Sequence, residues 1–190
     1  FGSWIPAVLW GVAFANIVRG VPIDADFQYT GGLLNLLNPY ALLGGATTAL
    51  LFLTHGLVFI GFKTDGDIRQ RAVDLARKIA PVTLIVAATW AIWTQLAYSV
   101  SWTWLIVGLA AAALLVVVFA TQARREGVAF AATSVVILLA VVLIFGSLYP
   151  DVMPSTTDPA NSLTIYNASS SPYTLQVMTW VAVVLVPLVL

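Results

Sequence analysis

Long apolar runs alternate with short polar ones along this chain. Six runs stand out, Phe1–Val18, Pro39–Phe62, Ile79–Tyr98, Trp102–Ala123, Val128–Tyr149 and Tyr173–Leu190, and none contains Lys, Arg, Asp or Glu. A hydrocarbon core of about 30 Å takes roughly 20 apolar helical residues to cross. A charge at the centre of such a span costs about 2.5–3.5 kcal/mol on insertion scales, so runs free of charge are what burial in lipid demands. They are about twice the length of a barrel strand and do not alternate polar with apolar. Helices also close their own backbone hydrogen bonds, which lipid requires. The pattern predicts an all-α fold, a polytopic transmembrane helix bundle with six spans, as a single transmembrane helical domain over residues 1–190.

The polar segments differ in charge. Lys63, Arg69, Arg71, Arg77 and Lys78 fall between the second and third runs, and Arg124 and Arg125 between the fourth and fifth; Arg19 alone falls on the alternate side. This seven-to-one split follows the positive-inside rule and predicts that both ends of the chain face the cytoplasm. In the inner segment 63–78, Ile68, Ala72, Leu75 and Ile79 share a helical face, and Asp67/Arg71 and Asp74/Lys78 are i,i+4 pairs. These predict a short amphipathic helix feeding the third span, bent where Pro81 cannot donate to the Arg77 carbonyl. The outer segments 20–38 and 150–172 are long for structureless links and predict ordered caps.

Composition sharpens this picture. Of 190 residues, 61% are hydrophobic and 8% charged, with mean hydropathy +0.98; soluble domains carry about 25% charged residues. Zero net charge gives no electrostatic case for nucleic acid. With no cysteine there is no disulfide, iron–sulfur or thiolate zinc site to consider. Because the chain starts at Phe1 and stops inside an apolar run, a piece of a longer protein is expected.

Small residues recur every four positions as Ala7, Gly11, Ala15 and as Ala41, Gly45, Ala49, a spacing that lets helix backbones approach closely. Gly44-Gly45 reads as a tight helix contact. Most Trp and Tyr lie near run ends, as interfacial anchors do, whereas Trp90 and Trp93 lie deeper and read as interhelical packing. Asn16, Thr47, Thr54, Thr89, Thr94, Gln95, Thr133, Ser134, Gln176 and Thr179 are polar groups within the runs, and bridging between helices is the expectation for each.

Candidate chemistry is sparse. His55 is the one histidine, and the methionines are Met153 and Met178. A haem takes an axial His, Met or Cys, which makes His55 the cofactor-binding candidate. Its simplest role is a hydrogen-bonded histidine between helices, with proton or quinone handling and haem ligation as the alternatives. Met153 and Met178 read as structural. There is no P-loop, dinucleotide motif, zinc spacing or Ser/His/Asp set, and so no catalytic residue and no metal ligand is assigned.

Three strings carry a resemblance. They are Gly11-Val-Ala-Phe-Ala-Asn16 running to Gly20-Val-Pro22, with Tyr29-Thr-Gly31 and Leu36-Leu-Asn-Pro39; Leu148-Tyr-Pro-Asp-Val-Met-Pro-Ser155, with Ser162-Leu-Thr-Ile-Tyr-Asn-Ala-Ser169; and Val177-Met-Thr-Trp-Val-Ala-Val-Val-Leu-Val-Pro187. Together they resemble subunit II of the cytochrome bd quinol oxidases, over essentially the whole chain. The short basic inner segment and Thr54-His55-Gly56 are similar to an actinobacterial version. The resemblance implies a complex that oxidises quinol, reduces dioxygen to water and contributes to the proton motive force. It implies that the b- and d-type haems sit in the partner subunit I, with none bound by this chain, and that subunit II scaffolds that partner in a heterodimer. Small accessory subunits and a quinone in a groove of subunit II also belong to what it implies. The family has about nine spans, in two four-helix bundles plus a peripheral helix, of which this chain resembles the last six. The acidic residues of a proton path fall in the spans not represented here. Two other readings are a transporter or channel subunit, with helices interrupted at Pro6, Pro81 and Pro187, and a membrane assembly factor. The first of these lacks any intramembrane charge to bind a substrate.

Overall fold

The computed structural model describes residues 2–189; Phe1 and Leu190, the outermost residues of the first and last apolar runs, lie outside the described residues. Each run forms a helix: α1 (Trp4–Arg19), α2 (Pro39–Lys63), α3 (Gly66–Tyr98), α4 (Thr103–Gln122), α5 (Glu126–Leu148) and α6 (Pro172–Val189). Helices α2 to α6 are long and apolar enough to cross a membrane. Helix α1 is apolar but shorter, 16 residues, or about 24 Å at 1.5 Å per residue. Beside the helices stand a small antiparallel hairpin, β1 (Asp151–Met153) with β2 (Leu163–Thr164), and two 3-10 turns at Leu33–Leu36 and Pro159–Asn161.

Helix α2 packs on α3, α3 on α4, α4 on α5, and α5 returns to α2, which makes one closed four-helix bundle. Helix α1 lies along α2 outside this ring, and α6 stands apart with no buried residue.

The two ends of the bundle are built differently. At one end the segments 20–38 and 150–172 fold onto each other. Val21 N donates to Pro154 O (3.1 Å), Thr156 N donates to Val21 O (3.0 Å), and the Ser155 hydroxyl and Asn161 Nδ2 both donate to Ile23 O (3.2 Å each). Asn167 is tied into the hairpin turn: its Oδ1 accepts from Thr164 N and its Nδ2 donates to Ser162 O. At the other end Arg69 pairs with Glu126 (2.9 Å) and Arg124 with Asp74 (3.2 Å), joining the start of α3 to the α4–α5 turn.

Helix α3 corrects two details of the sequence reading. It is one unbroken helix of 33 residues, not a short helix leading into a span; at about 50 Å it outruns the hydrocarbon core, and its charged first turns project beyond. Asp74 pairs across to Arg124 rather than with Lys78, and Arg69 with Glu126, because the α4–α5 turn brings opposite charges closer than the exposed helix face does. The buried stripe is Ala72, Val73, Ala76 and Ala80, while Ile68 and Leu75 are exposed. Small residues face the neighbouring helices there because Gly61 of α2 comes close to Val73, and large ones are turned outward.

Pro81 lies inside α3 without ending it. It removes the N–H that would serve the Arg77 carbonyl, and Gln122, the last residue of α4, takes its place: Gln122 Nε2 donates to Arg77 O at 3.0 Å, while Arg77 Nε donates to Gln122 Oε1 at 3.3 Å. Gln122→Leu should therefore destabilise the detergent-solubilised protein by about 1 kcal/mol, seen as a lower Tm. Adding Pro81→Ala restores the missing N–H and should recover most of the loss. A Gln122→Leu Tm that Pro81→Ala leaves unimproved would contradict the pairing.

Candidate functional site

The bundle interior is held by hydroxyl rungs. The Tyr40 hydroxyl meets Thr94 Oγ1 at 2.8 Å (α2–α3), and Thr54 Oγ1 meets Thr83 Oγ1 at 2.7 Å (α2–α3). Ser99 bridges to Ser147 of α5 at 2.6 Å, and Thr103 donates to Gln95 Oε1 at 2.8 Å, which ties α3, α4 and α5 together near the loop cap. Asn16 Nδ2 donates to Leu36 O and its Oδ1 accepts from Asn38 Nδ2, while Asn38 Oδ1 caps α2 by accepting from Ala41 N. Thr47, Thr89, Ser134 and Thr179 instead donate to carbonyls of their own helices. Gln176 lies on exposed α6.

His55 is half-buried on α2. Its Nδ1 lies 2.8 Å from Thr133 Oγ1 of α5, and its ring stacks on Phe130 with centroids 4.8 Å apart. The Thr133 hydroxyl also donates to Phe130 O at 2.9 Å. Spending that proton on Phe130 makes the Thr133 oxygen the acceptor and His55 Nδ1–H the donor, which leaves Nε2 as the free nitrogen. Met153 lies in β1 at the loop cap and Met178 on α6, so neither is brought to His55. Among the described residues no three His, Asp or Glu side chains gather as a metal site.

The small residues meet where α1 crosses α2. A Cβ on Gly11 would sit 2.5 Å from Gly44 O and 2.7 Å from Gly45 Cα; one on Gly44 would sit 2.7 Å from Ala15 Cβ, and one on Gly45 2.9 Å from Val12 Cγ2. Ala15 and Ala41 are fully buried, Ala49 is buried and Ala7 half-buried. On α1 the contact runs through Val8, Gly11, Val12 and Ala15, so Ala7 lies at its edge.

This close crossing opens a cleft on its other side. It has a volume of about 470 Å³ and lies between Trp10 and Phe14 of α1, Thr47 and Phe52 of α2, and Ile144 and Phe145 of α5, with Trp90 of α3 reaching its wall. Thr47 and Thr48 spend their hydroxyls on Leu43 O and Gly44 O. Trp90 Nε1 is different: among the described residues it is the buried side-chain polar atom with no partner. Gly44 makes room for it, since a Cβ there would lie 3.1 Å from Trp90 Nε1. Trp90 thus lines an apolar cleft while its Nε1 is shielded against Gly44 of α2. The packing expected of Trp90 is seen, since it is buried and stacks on Tyr40 of α2 with centroids 6.0 Å apart; the unpartnered indole N–H is what the sequence did not announce.

Gly45→Leu should separate α1 from α2, since its side chain would run into Val8 and Val12. The yield of intact complex by size-exclusion in mild detergent should fall severalfold, whereas Gly108→Ala, with open space at its Cβ position, should leave it unchanged. A normal yield for Gly45→Leu would contradict the crossing.

Comparison with known proteins accounts for the whole length. The family model described as "Cytochrome bd terminal oxidase subunit II" matches residues 1–190. The chain is 36% identical to the cytochrome bd ubiquinol oxidase subunit 2 of Bacillus subtilis, over all of this chain and 58% of the relative. It is 31% identical to the cytochrome bd-I ubiquinol oxidase subunit 2 of Escherichia coli K12, over all of this chain and 60% of the relative. The chain thus spans less than two thirds of the length of the curated relatives it matches.

Proposed function

The chain belongs to the cytochrome bd terminal oxidase subunit II family, and from that premise we propose that it serves as the non-haem scaffold of a bd-type quinol:oxygen oxidoreductase. In this reading it docks subunit I, which holds the b- and d-type haems, oxidises quinol and reduces oxygen to water, so that the pair contributes to the proton motive force. Family membership supports this reading over the transporter one. The carrying observation is that the hydroxyls of the bundle are spent on neighbouring helices or on their own helix carbonyls, with the one histidine bonded to Thr133 and stacked on Phe130. A haem ligated on both faces needs a second protein ligand, and the fold brings neither methionine to His55.

The α1–α2–α5 cleft suits a quinone. Its apolar walls would take a prenyl tail, and a small turn of the Trp90 indole at the cleft wall would bring Nε1 to a ring carbonyl. The bound molecule would fill the slot and satisfy the indole. The seven basic residues at one end of the bundle support a plasma-membrane orientation with that end, and with it both chain ends, in the cytoplasm. Small accessory subunits would sit outside these helix faces.

The test is a redox difference spectrum of the complex purified in mild detergent, compared with the His55→Gln variant. Gln can still donate toward Thr133, so haem bands and oxygen consumption should stay within about twofold of the parent. Quinone extracted from a Trp90→Phe sample should fall while its haem bands persist. Loss of one haem signal from correctly assembled His55→Gln complex would overturn the scaffold reading.

A further inference from the structure

We propose a binding site for the phosphate of an anionic phospholipid in the notch between α3 and α4, at the charged end of the bundle. The notch has a volume of about 370 Å³ and is lined by Asp74, Arg77, Lys78 and Gln122. Asp74 is already committed, accepting from Arg124 Nη2 at 3.2 Å and from Gln70 Nε2 at 3.1 Å. Arg77 is steadied rather than neutralised: its Nε donates to Gln122 Oε1, an uncharged partner, and its backbone carbonyl accepts from the same side chain. Its Nη atoms and the Lys78 ammonium have no ion-pair partner among the described residues. With Asp74 neutralised by Arg124, which lies outside the lining, Arg77 and Lys78 are the uncompensated charges of the notch, and two cations side by side call for an anion.

Position makes that anion a lipid. The notch sits where the charged turns of α3 give way to its apolar run at Ile79 and where α4 ends at Gln122. Below Lys78 the same face of α3 continues as Val82 and Ile85, and below Gln122 the face of α4 continues as Phe119 and Leu115; all four are exposed. A phosphate between Arg77 and Lys78 would therefore have two apolar strips beneath it for acyl chains. Basic groups at this depth attract anionic headgroups, at about 1 kcal/mol per Lys or Arg. The site is independent of the haem and quinone reading and needs only that this end of the bundle meets lipid.

The experiment is native mass spectrometry of the full complex, delipidated in detergent and titrated separately with dioctanoyl phosphatidylglycerol, dioctanoyl phosphatidylcholine and inorganic phosphate. The parent should retain phosphatidylglycerol at several-fold lower concentration than phosphatidylcholine, and inorganic phosphate should not compete at equal concentration. Lys78→Gln should weaken phosphatidylglycerol retention about fivefold, Lys78→Arg should restore it, and Arg19→Gln at the opposite end should not change it. Lys78 makes no ion pair among the described residues, so its variants keep the fold. Equal retention of the two lipids by the parent, competition by inorganic phosphate, or unchanged retention in Lys78→Gln would each overturn the site.

Discussion

A polar group inside hydrocarbon has no water to fall back on, and the structure of this chain follows from that constraint. The backbone meets it by coiling into helices. At the membrane boundary, where proline breaks the ladder at the Arg77 carbonyl, a side chain from the next helix supplies the missing donor. Hydroxyls meet the constraint by pairing across helices, as Thr54 with Thr83 and Tyr40 with Thr94, or by donating back to their own helix, as Thr47 does. Each such bridge is worth only about 0.6 kcal/mol on average in a membrane. Their service is to fix which helix faces touch. Trp90 Nε1 is the buried exception among the described residues, and it lies at the wall of the cleft.

Size, more than hydrophobicity, sorts the faces. Lipid is as apolar as leucine, so nothing drives large apolar residues inward, and close contact favours glycine and alanine. The same physics decides what could be read from the sequence. The helices were legible because a charge-free apolar run about as long as the bilayer is thick suits a membrane span and little else. The crossing of α1 and α2 left a trace in Gly11, Ala15, Ala41 and Gly45, all of them small. The shared face of Ile68 and Leu75 was legible from spacing, but which residues of the charged part of α3 meet α2 was not. The structure turns those two outward and buries Ala72, Val73 and Ala76. The Gln122–Arg77 pairing, the Asp74–Arg124 ion pair and the setting of Trp90 depend on residues far apart in the chain, and no local pattern announces them.

The two ends of the bundle divide the work. The loops 20–38 and 150–172, which hold no basic residue, interlock through Val21, Ile23, Ser155 and Asn161 into a cap, which suits a face that seals and docks. The other end gathers the basic residues and ties the α4–α5 turn to α3 through two ion pairs, each exposed enough to contribute little to stability. Their consequence is geometric: engaging Asp74 and Glu126 leaves Arg77 and Lys78 free at the lipid boundary. The proposed scaffold role would need shape, orientation and lipid contact more than reactive side chains.

The central claim is that the chain is threaded through lipid with the basic end in the cytoplasm and the loop cap outside. Its 190 residues hold no cysteine, so single cysteines can report on it directly in the full subunit once any others are removed. With a membrane-impermeant maleimide on intact cells, Thr157→Cys in the cap should label at once, and Arg71→Cys at the start of α3 should label only after permeabilisation. Prompt labelling at residue 71 with protection at residue 157 would reverse the orientation, and prompt labelling at both would contradict the threading itself.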